Sequence, residues 1–229
     1  MKKVKEGCDL KSCFLCNNCL NDWLPAIDTH KQNFAYKKGE VIFEEGSEVK
    51  GIYFLYKGKV KVYRKWGLQK QLILHFAKEG DIIGYRGLGN ENVYPVSAAA
   101  LEDSVLCFLD TSFFESTLRV NHEFTYKLMQ FYANELQHAE KRMRNLAHMD
   151  VKGRVAETLL MLKKDFGENK NGFLNITLTK QDLASFTGTT YETFFRIINE
   201  LSKQKLVRMS GKDITISNPS KLEKLCSKK

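Results

Sequence analysis

The chain has 229 residues, is 43% hydrophobic and 28% charged, and carries a formal net charge of +9. These are the proportions of an ordinary globular protein with room for one large domain or two small ones. No apolar run reaches membrane-spanning length, and the N-terminus MKKVKEGCDLKSC has no apolar signal core, which argues against a membrane or exported protein and for the cytoplasm.

Residues 1–22 read as an irregular, cysteine-rich segment. Cys8, Cys13, Cys16 and Cys19 follow the spacing C-x4-C-x2-C-x2-C, and Cys107 and Cys226 complete the six cysteines. In a cytosolic chain such crowding points to metal or redox chemistry more than to disulfides. Four thiolates can bind zinc, take part in an iron–sulfur cluster, or act as redox thiols without metal. Cys226, near a Lys-rich end, reads as incidental.

Residues 23–120 read as a β-barrel domain. From Phe34 to Asp110 the chain is dominated by short β-type runs separated by glycine, and Lys59-Val60-Lys61-Val62-Tyr63 alternates with period two. A short helix is expected at Ser112–Leu118. A long one follows over 121–148, with no Gly or Pro from Asn121 to Leu146. Met129, Tyr132, Leu136, Ala139, Met143 and Leu146 recur at spacings of 3, 4, 3, 4 and 3, the pattern of a coiled-coil seam between two copies. Phe124, Leu128 and Phe131 form a neighbouring stripe suited to pack on the barrel.

Residues 149–229 read as a DNA-binding domain. After a hinge near His148–Lys152, a helix is expected at Gly153–Asp165. Thr179 to Leu201 then reads as two short helices joined at Gly188, opened by capping boxes at Thr179-x-x-Asp182 and Thr189-x-x-Glu192. The tail LVRMSGKDITISN reads as a two-stranded wing turning at Gly211-Lys212. A helix-turn-helix places its second helix in the DNA major groove. Residues 151–229 hold 15 Lys/Arg against 8 Asp/Glu, so most of the net charge lies where a polyanion would bind. No GxSxG, Walker A or HExxH pattern is present, so an enzyme or a ligand store built on the barrel alone ranks behind a DNA-binding regulator.

The order barrel, long helix, winged helix-turn-helix resembles the Crp/Fnr family of bacterial transcription regulators over roughly residues 30–217. Two segments carry the resemblance. One is the barrel signature: Gly46, IYFLYKGKVKVY with Gly58, and EGDIIG with Gly80, Asp81 and Gly84. The other is TKQDLASFTGTTYETFFRIINEL. The implied architecture is α+β: an antiparallel β-barrel (cyclic-nucleotide-binding-like jelly roll), a long dimerisation helix and a C-terminal winged helix-turn-helix.

The resemblance implies a homodimer on an inverted-repeat operator in double-stranded DNA, acting with RNA polymerase. Glu192 and Arg196 match the family's base-reading Glu and Arg, chemistry suited to cytosine N4 and to guanine O6/N7. Tyr191 and Phe195 are also placed to contact bases, and both depart from the family pattern. Thr179, Lys180, Thr189 and Thr190 are placed for phosphates.

The expected effector pocket includes Gly84, Tyr85, Arg86 and Ser97. Members that bind cyclic AMP carry a Glu after the GD-x-x-G turn and an Arg for the phosphate. Here Tyr85-Arg86 and VYPVSAAAL take those places, which argues against cyclic AMP. An oxygen-sensing member of the family holds a [4Fe–4S] cluster with three N-terminal cysteines and one in the barrel. Cys107 matches that barrel position, so four of Cys8, Cys13, Cys16, Cys19 and Cys107 are candidate cluster ligands, although the N-terminal spacing differs. The alternatives are zinc, redox thiols, or a small ligand or haem-bound gas in the barrel; none of the five histidines lies in a recognisable haem motif.

Overall fold

The computed structural model describes residues 2–5, 8, 9, 11, 13–67 and 70–226. The chain divides into two compact units, residues 1–135 and 136–229, so the boundary falls inside the long helix rather than at either of its ends.

The first unit begins with β1 (Lys2–Val4), α1 (Phe14–Asn18) and α2 (Leu24–His30). The cysteine-rich segment, expected to be irregular, therefore contains a strand and a helix. β1 pairs with β2 (Gln32–Tyr36), and Cys13 caps α1 by accepting a bond from the Cys16 N–H. The next strands are β3 (Val41–Phe43), β4 (Gly51–Lys57), β5 (Val60–Trp66), β6 (Lys70–Ala77), β7 (Ile82–Ile83), β8 (Ser97–Ala100) and β9 (Ser104–Asp110). They form two antiparallel sheets, ordered β1-β2-β9-β4-β7 and β3-β8-β5-β6. α3 (Thr111–Val120) follows, capped by Asp110, and then α4 (His122–His148).

Side chains alternate between the faces of a strand, so β4 and β9 each serve two cores. Tyr53, Leu55 and Leu106 join Phe34, Tyr36, Phe43, Val60 and Val62 in one core, with Phe108 packed against it. Ile52, Phe54, Cys107 and Leu109 face the other way. There they are covered by Leu15 of α1, Ile27 of α2, Phe113 and Phe114 of α3, and Phe124 and Leu128 of α4. The stripe Phe124, Leu128 and Phe131 thus packs on the barrel as the sequence suggests.

The second unit holds the end of α4, then α5 (Val151–Phe166), α6 (Lys180–Thr187), α7 (Tyr191–Lys203), β10 (Val207–Ser210), β11 (Asp213–Ile216) and α8 (Pro219–Cys226). β10 and β11 form the wing, joined by Gly211-Lys212. α8 was not foreseen; it packs on α5 with Leu222 fully buried. α7 buries Phe194, Ile197, Ile198 and Leu201, the i, i+3, i+4, i+7 face of an amphipathic helix.

The turn between α6 and α7 decides one correction. Thr179 and Asp182 form the expected capping box on α6. The second cap is Thr190, not Thr189: the Thr190 hydroxyl oxygen accepts from the Thr193 N–H. Thr189 is already used by the preceding helix. Its N–H donates to Ala184 O while the Gly188 N–H donates to Ser185 O, a Schellman closure of α6. Gly188 has φ +66°, and a Cβ there would meet Leu146 Cδ2 at 2.5 Å.

A Gly188→Ala substitution therefore combines left-handed strain with a clash. We expect it to lower the stability of the second unit by about 1–2 kcal/mol or more. A lower urea midpoint in hydrogen exchange at α6 and α7 is the expected reading, and an unchanged midpoint contradicts this account of the turn.

Candidate thiol centre and nucleic-acid interface

The Cys13-x-x-Cys16 spacing places both sulfurs on the first turn of α1, where Cys13 Sγ lies 3.3 Å from Cys16 Sγ. Cys8 Sγ lies 3.9 Å from Cys16 Sγ, and the three sulfurs all fall within 4.8 Å of one another. All three cysteines are buried. Cys107 reaches the same core from β9 and interacts with Cys8. Cys19 does not join the group: its thiol donates to Asn121 Oδ1 at 3.2 Å, the oxygen that also accepts from the Leu20 N–H. Three of the five candidate ligands thus come together, Cys107 shares their core and interacts with Cys8, and Cys19 anchors the segment to the residue preceding α4.

Three of these thiols, Cys13, Cys16 and Cys107, are shifted toward the protonated form. Hydrogen bonding to Cys13 and Cys8, together with burial, pushes the Cys16 thiol far above the usual thiol range. Its bond with Cys8 and burial do the same to Cys107. Cys13 is pushed up to about 11: its bond with Cys16 works downward, but the contact with Cys8 and burial outweigh it. Lys31 is close by. Its ammonium pairs with Asp28 at 2.8 Å and donates to Cys8 O at 2.8 Å. An all-sulfur donor set this compact suits soft or borderline metals, whose charge would replace the protons.

The segment bearing these thiols is also packed on α4. The Phe14 ring, within the Cys13–Cys16 turn, lies 5.9 Å from Phe124 and 5.4 Å from Phe131. Trp23 Nε1 donates to Thr117 Oγ1 of α3 at 3.1 Å. Sequence reasoning missed Phe14 and Asn121, because neither residue type signals a role until the fold brings α1 onto α4.

The four residues expected around an effector have different partners. Gly84 turns the chain with φ +84°. Tyr85 OH donates to Glu135 Oε2, and Arg86 pairs with the same carboxylate at 3.0 Å. Tyr132 OH donates to Tyr85 O at 2.7 Å. Ser97 is fully buried, and its Oγ accepts from the Glu45 N–H at 2.9 Å. Arg86 is thus engaged by Glu135. Inside the barrel, aromatic rings pack on one another: Phe43–Tyr94 at 4.2 Å, Tyr53–Phe108 at 4.9 Å and Phe43–Tyr53 at 5.7 Å.

On α7, Tyr191, Glu192, Phe195 and Arg196 all lie exposed on the side opposite the buried face. Among the described residues, Glu192 and Arg196 form no ion pair with each other despite their i, i+4 spacing. Phe195, Arg196, Asn199, Glu200 and Lys203 border a shallow groove along the helix. The Thr179 hydroxyl donates to Asp182 Oδ2 at 2.6 Å, and Thr190 is committed to its cap. What these helix starts offer an anion is therefore chiefly their first-turn N–H groups. Arg142 Nη2 donates to Phe186 O at 2.7 Å and Arg154 Nε to Thr187 O at 3.0 Å, holding the carbonyl end of α6 against α4 and α5.

Residues 34–121 match the cyclic nucleotide-binding domain family, and residues 153–225 match the Crp-like helix-turn-helix domain family. The cAMP-activated global transcriptional regulator CRP of Salmonella typhimurium is 29% identical over 194 residues, covering 82% of this chain and 90% of that protein. The Anaerobic regulatory protein of Bacillus subtilis is 29% identical over 205 residues, covering 87% and 85%. The chain belongs to the Crp/Fnr family. Its fold agrees with that of FixK2 from Bradyrhizobium japonicum, at a TM-score of 0.77 and 26% identity, with 87% of this chain and 98% of that one covered. It is accordingly a Crp-like DNA-binding transcription regulator. Among the described residues, no helix is long and apolar enough to cross a membrane.

Burial pushes the Cys19 thiol from its ordinary value of 9.0 up to about 11. Between those values the folded chain keeps a proton that the unfolded chain has released. The stability tied to this thiol is therefore constant below about 9 and lost as pH rises toward about 11. We expect the thermal midpoint of the metal-free protein to fall across that window, and to fall less in Cys19→Ser. Identical profiles for the two proteins contradict the burial of Cys19.

Proposed function

We propose that this Crp/Fnr regulator is a cytoplasmic homodimer whose thiol centre, built from Cys8, Cys13, Cys16 and Cys107, holds a metal group and couples its state to operator binding. The observation that carries the proposal is the gathering of Cys8, Cys13 and Cys16 sulfurs within 4.8 Å, with Cys107 beside Cys8, in the same core as α4. A [4Fe–4S] cluster is the leading occupant; it would supply redox and oxygen sensitivity. The likeness to the Anaerobic regulatory protein of Bacillus subtilis supports it. A single zinc ion is the second reading, favoured by the sulfur separations of 3.3 and 3.9 Å. Thiolates about 2.3 Å from one tetrahedral ion stand roughly 3.8 Å apart.

Protein purified without oxygen tests both occupants. Iron with acid-labile sulfide and a visible absorption band supports the cluster; one tightly held zinc and no colour supports the second reading. Neither metal, even after reconstitution, overturns the proposal. Cys8→Ser and Cys107→Ser are expected to lose the metal, whereas Cys19→Ser keeps it.

The output is α7 in the major groove of an inverted-repeat operator, with RNA polymerase as the eventual partner. Glu192 and Arg196 present unpaired hydrogen-bonding groups on its outer face, and Lys180 with the N–H groups at the starts of α6 and α7 meets phosphates. Arg196→Ala is expected to weaken specific binding by about 1–3 kcal/mol and relax one base position. Unchanged affinity and specificity would remove Arg196 from the interface.

The dimer seam rests on Met129, Leu136, Ala139 and Met143, all exposed in the single chain; Leu136 and Met143 are 61% and 65% exposed. Tyr132 contributes its ring while its hydroxyl is held by Tyr85. Leu146 is half-buried against Gly188 and marks where the seam ends. Leu136→Glu places two carboxylates face to face. We expect monomers by sedimentation and loss of operator binding; a stable dimer contradicts the seam.

A further inference from the structure

We infer that Phe195 reads thymine, through the C5-methyl group, at a position next to the base pair read by Arg196. The inference rests on α7 being the base-reading helix. The outer face of α7 carries two rows at i, i+4 spacing, an aromatic one (Tyr191, Phe195) and a charged one (Glu192, Arg196). Phe195 is 39% exposed and Tyr191 is 40% exposed, although Phe194 beside them is wholly buried.

The exposed ring is not loose. Tyr191 lies parallel to it, with centroids 6.0 Å apart and an interplanar angle of 5°. From the start of α6, Lys180 Nζ stands 4.6 Å from the Phe195 centroid. The ring is thus held before any ligand arrives, which lowers the entropy cost of using it in an interface. Phe195 has no hydrogen-bonding group, so it cannot read the donor and acceptor pattern of the groove. The one apolar feature a base pair presents in the major groove is the thymine methyl. Lys180 brings a charge to the same spot, where it can reach the adjacent phosphate while capping the ring. Ring, cation and neighbouring Arg196 together describe a contact to one thymine beside one hydrogen-bonded base pair.

The experiment uses the full-length protein and duplexes selected by it from a random pool. In the selected operator each thymine is replaced in turn by deoxyuridine, which lacks only the methyl group. For the wild-type protein we expect one position per half-site where the replacement weakens binding about fourfold, and roughly fifteenfold when both half-sites are changed. Phe195→Ala is expected to bind the thymine and deoxyuridine operators equally, Phe195→Leu to keep part of the difference, and Arg196→Ala to keep all of it. A wild-type protein indifferent to deoxyuridine at every position overturns the inference, as does a Phe195→Ala protein that still discriminates; in both cases base reading by α7 stands. A pool from which no sequence is enriched fails differently, and overturns base reading and the thymine contact together.

Discussion

Strands β4 and β9 are buried on both faces, and the rest of the first unit is arranged to satisfy that constraint. Period-two alternation sends Tyr53, Leu55 and Leu106 into the barrel core. The same strands turn Ile52, Phe54, Cys107 and Leu109 outward. An apolar patch of that kind is unfavourable in water at about 25 cal/mol per Å², so something must cover it. α1, α2, α3 and the first turns of α4 do so. The N-terminal segment is therefore part of the core of this unit and not an appended tail. Its thiols meet Cys107 because they share one patch.

That shared patch gives the thiol centre a mechanical neighbour. Phe14 lies between Cys13 and Cys16 in sequence and against Phe124 and Phe131 in space. Tyr85, Arg86 and Tyr132 tie the turn after β7 to the same stretch of α4 through Glu135 and the Tyr85 carbonyl. α4 then continues into the second unit, where Arg142 and Leu146 reach the turn between α6 and α7. One continuous helix thus touches the residues around the thiols at its start and the DNA-binding motif at its end.

The barrel core and the recognition helix differ in what they leave open. The aromatic rings Phe43, Tyr53, Tyr94 and Phe108 satisfy one another inside the barrel. On α7 the side chains of Glu192 and Arg196 are turned to solvent, and even the packed pair Tyr191 and Phe195 keeps much of its surface exposed. The barrel rings pack on one another, while the outer face of α7 has its hydrogen-bonding and apolar capacity still to use.

Features that depend on a few neighbouring residues were legible in the sequence. The period-two strand around Val60, the stripe Phe124–Leu128–Phe131, the Thr179 capping box, the turn at Gly188 and the wing at Gly211-Lys212 are all set within about one or two helical turns or one hairpin. The cap on α7 was misplaced by one residue because Thr189 and Thr190 look alike locally, and only the closure of α6 shows that Thr189 is taken. The tertiary structure alone decided which cysteines meet. Cys19 has the spacing of a ligand, yet it turns to Asn121, whereas Cys107, distant in the chain, stands beside Cys8. Spacing specifies geometry only within an element. Between elements, the burial of a common apolar face determines which side chains are neighbours, and that is a property of the folded chain.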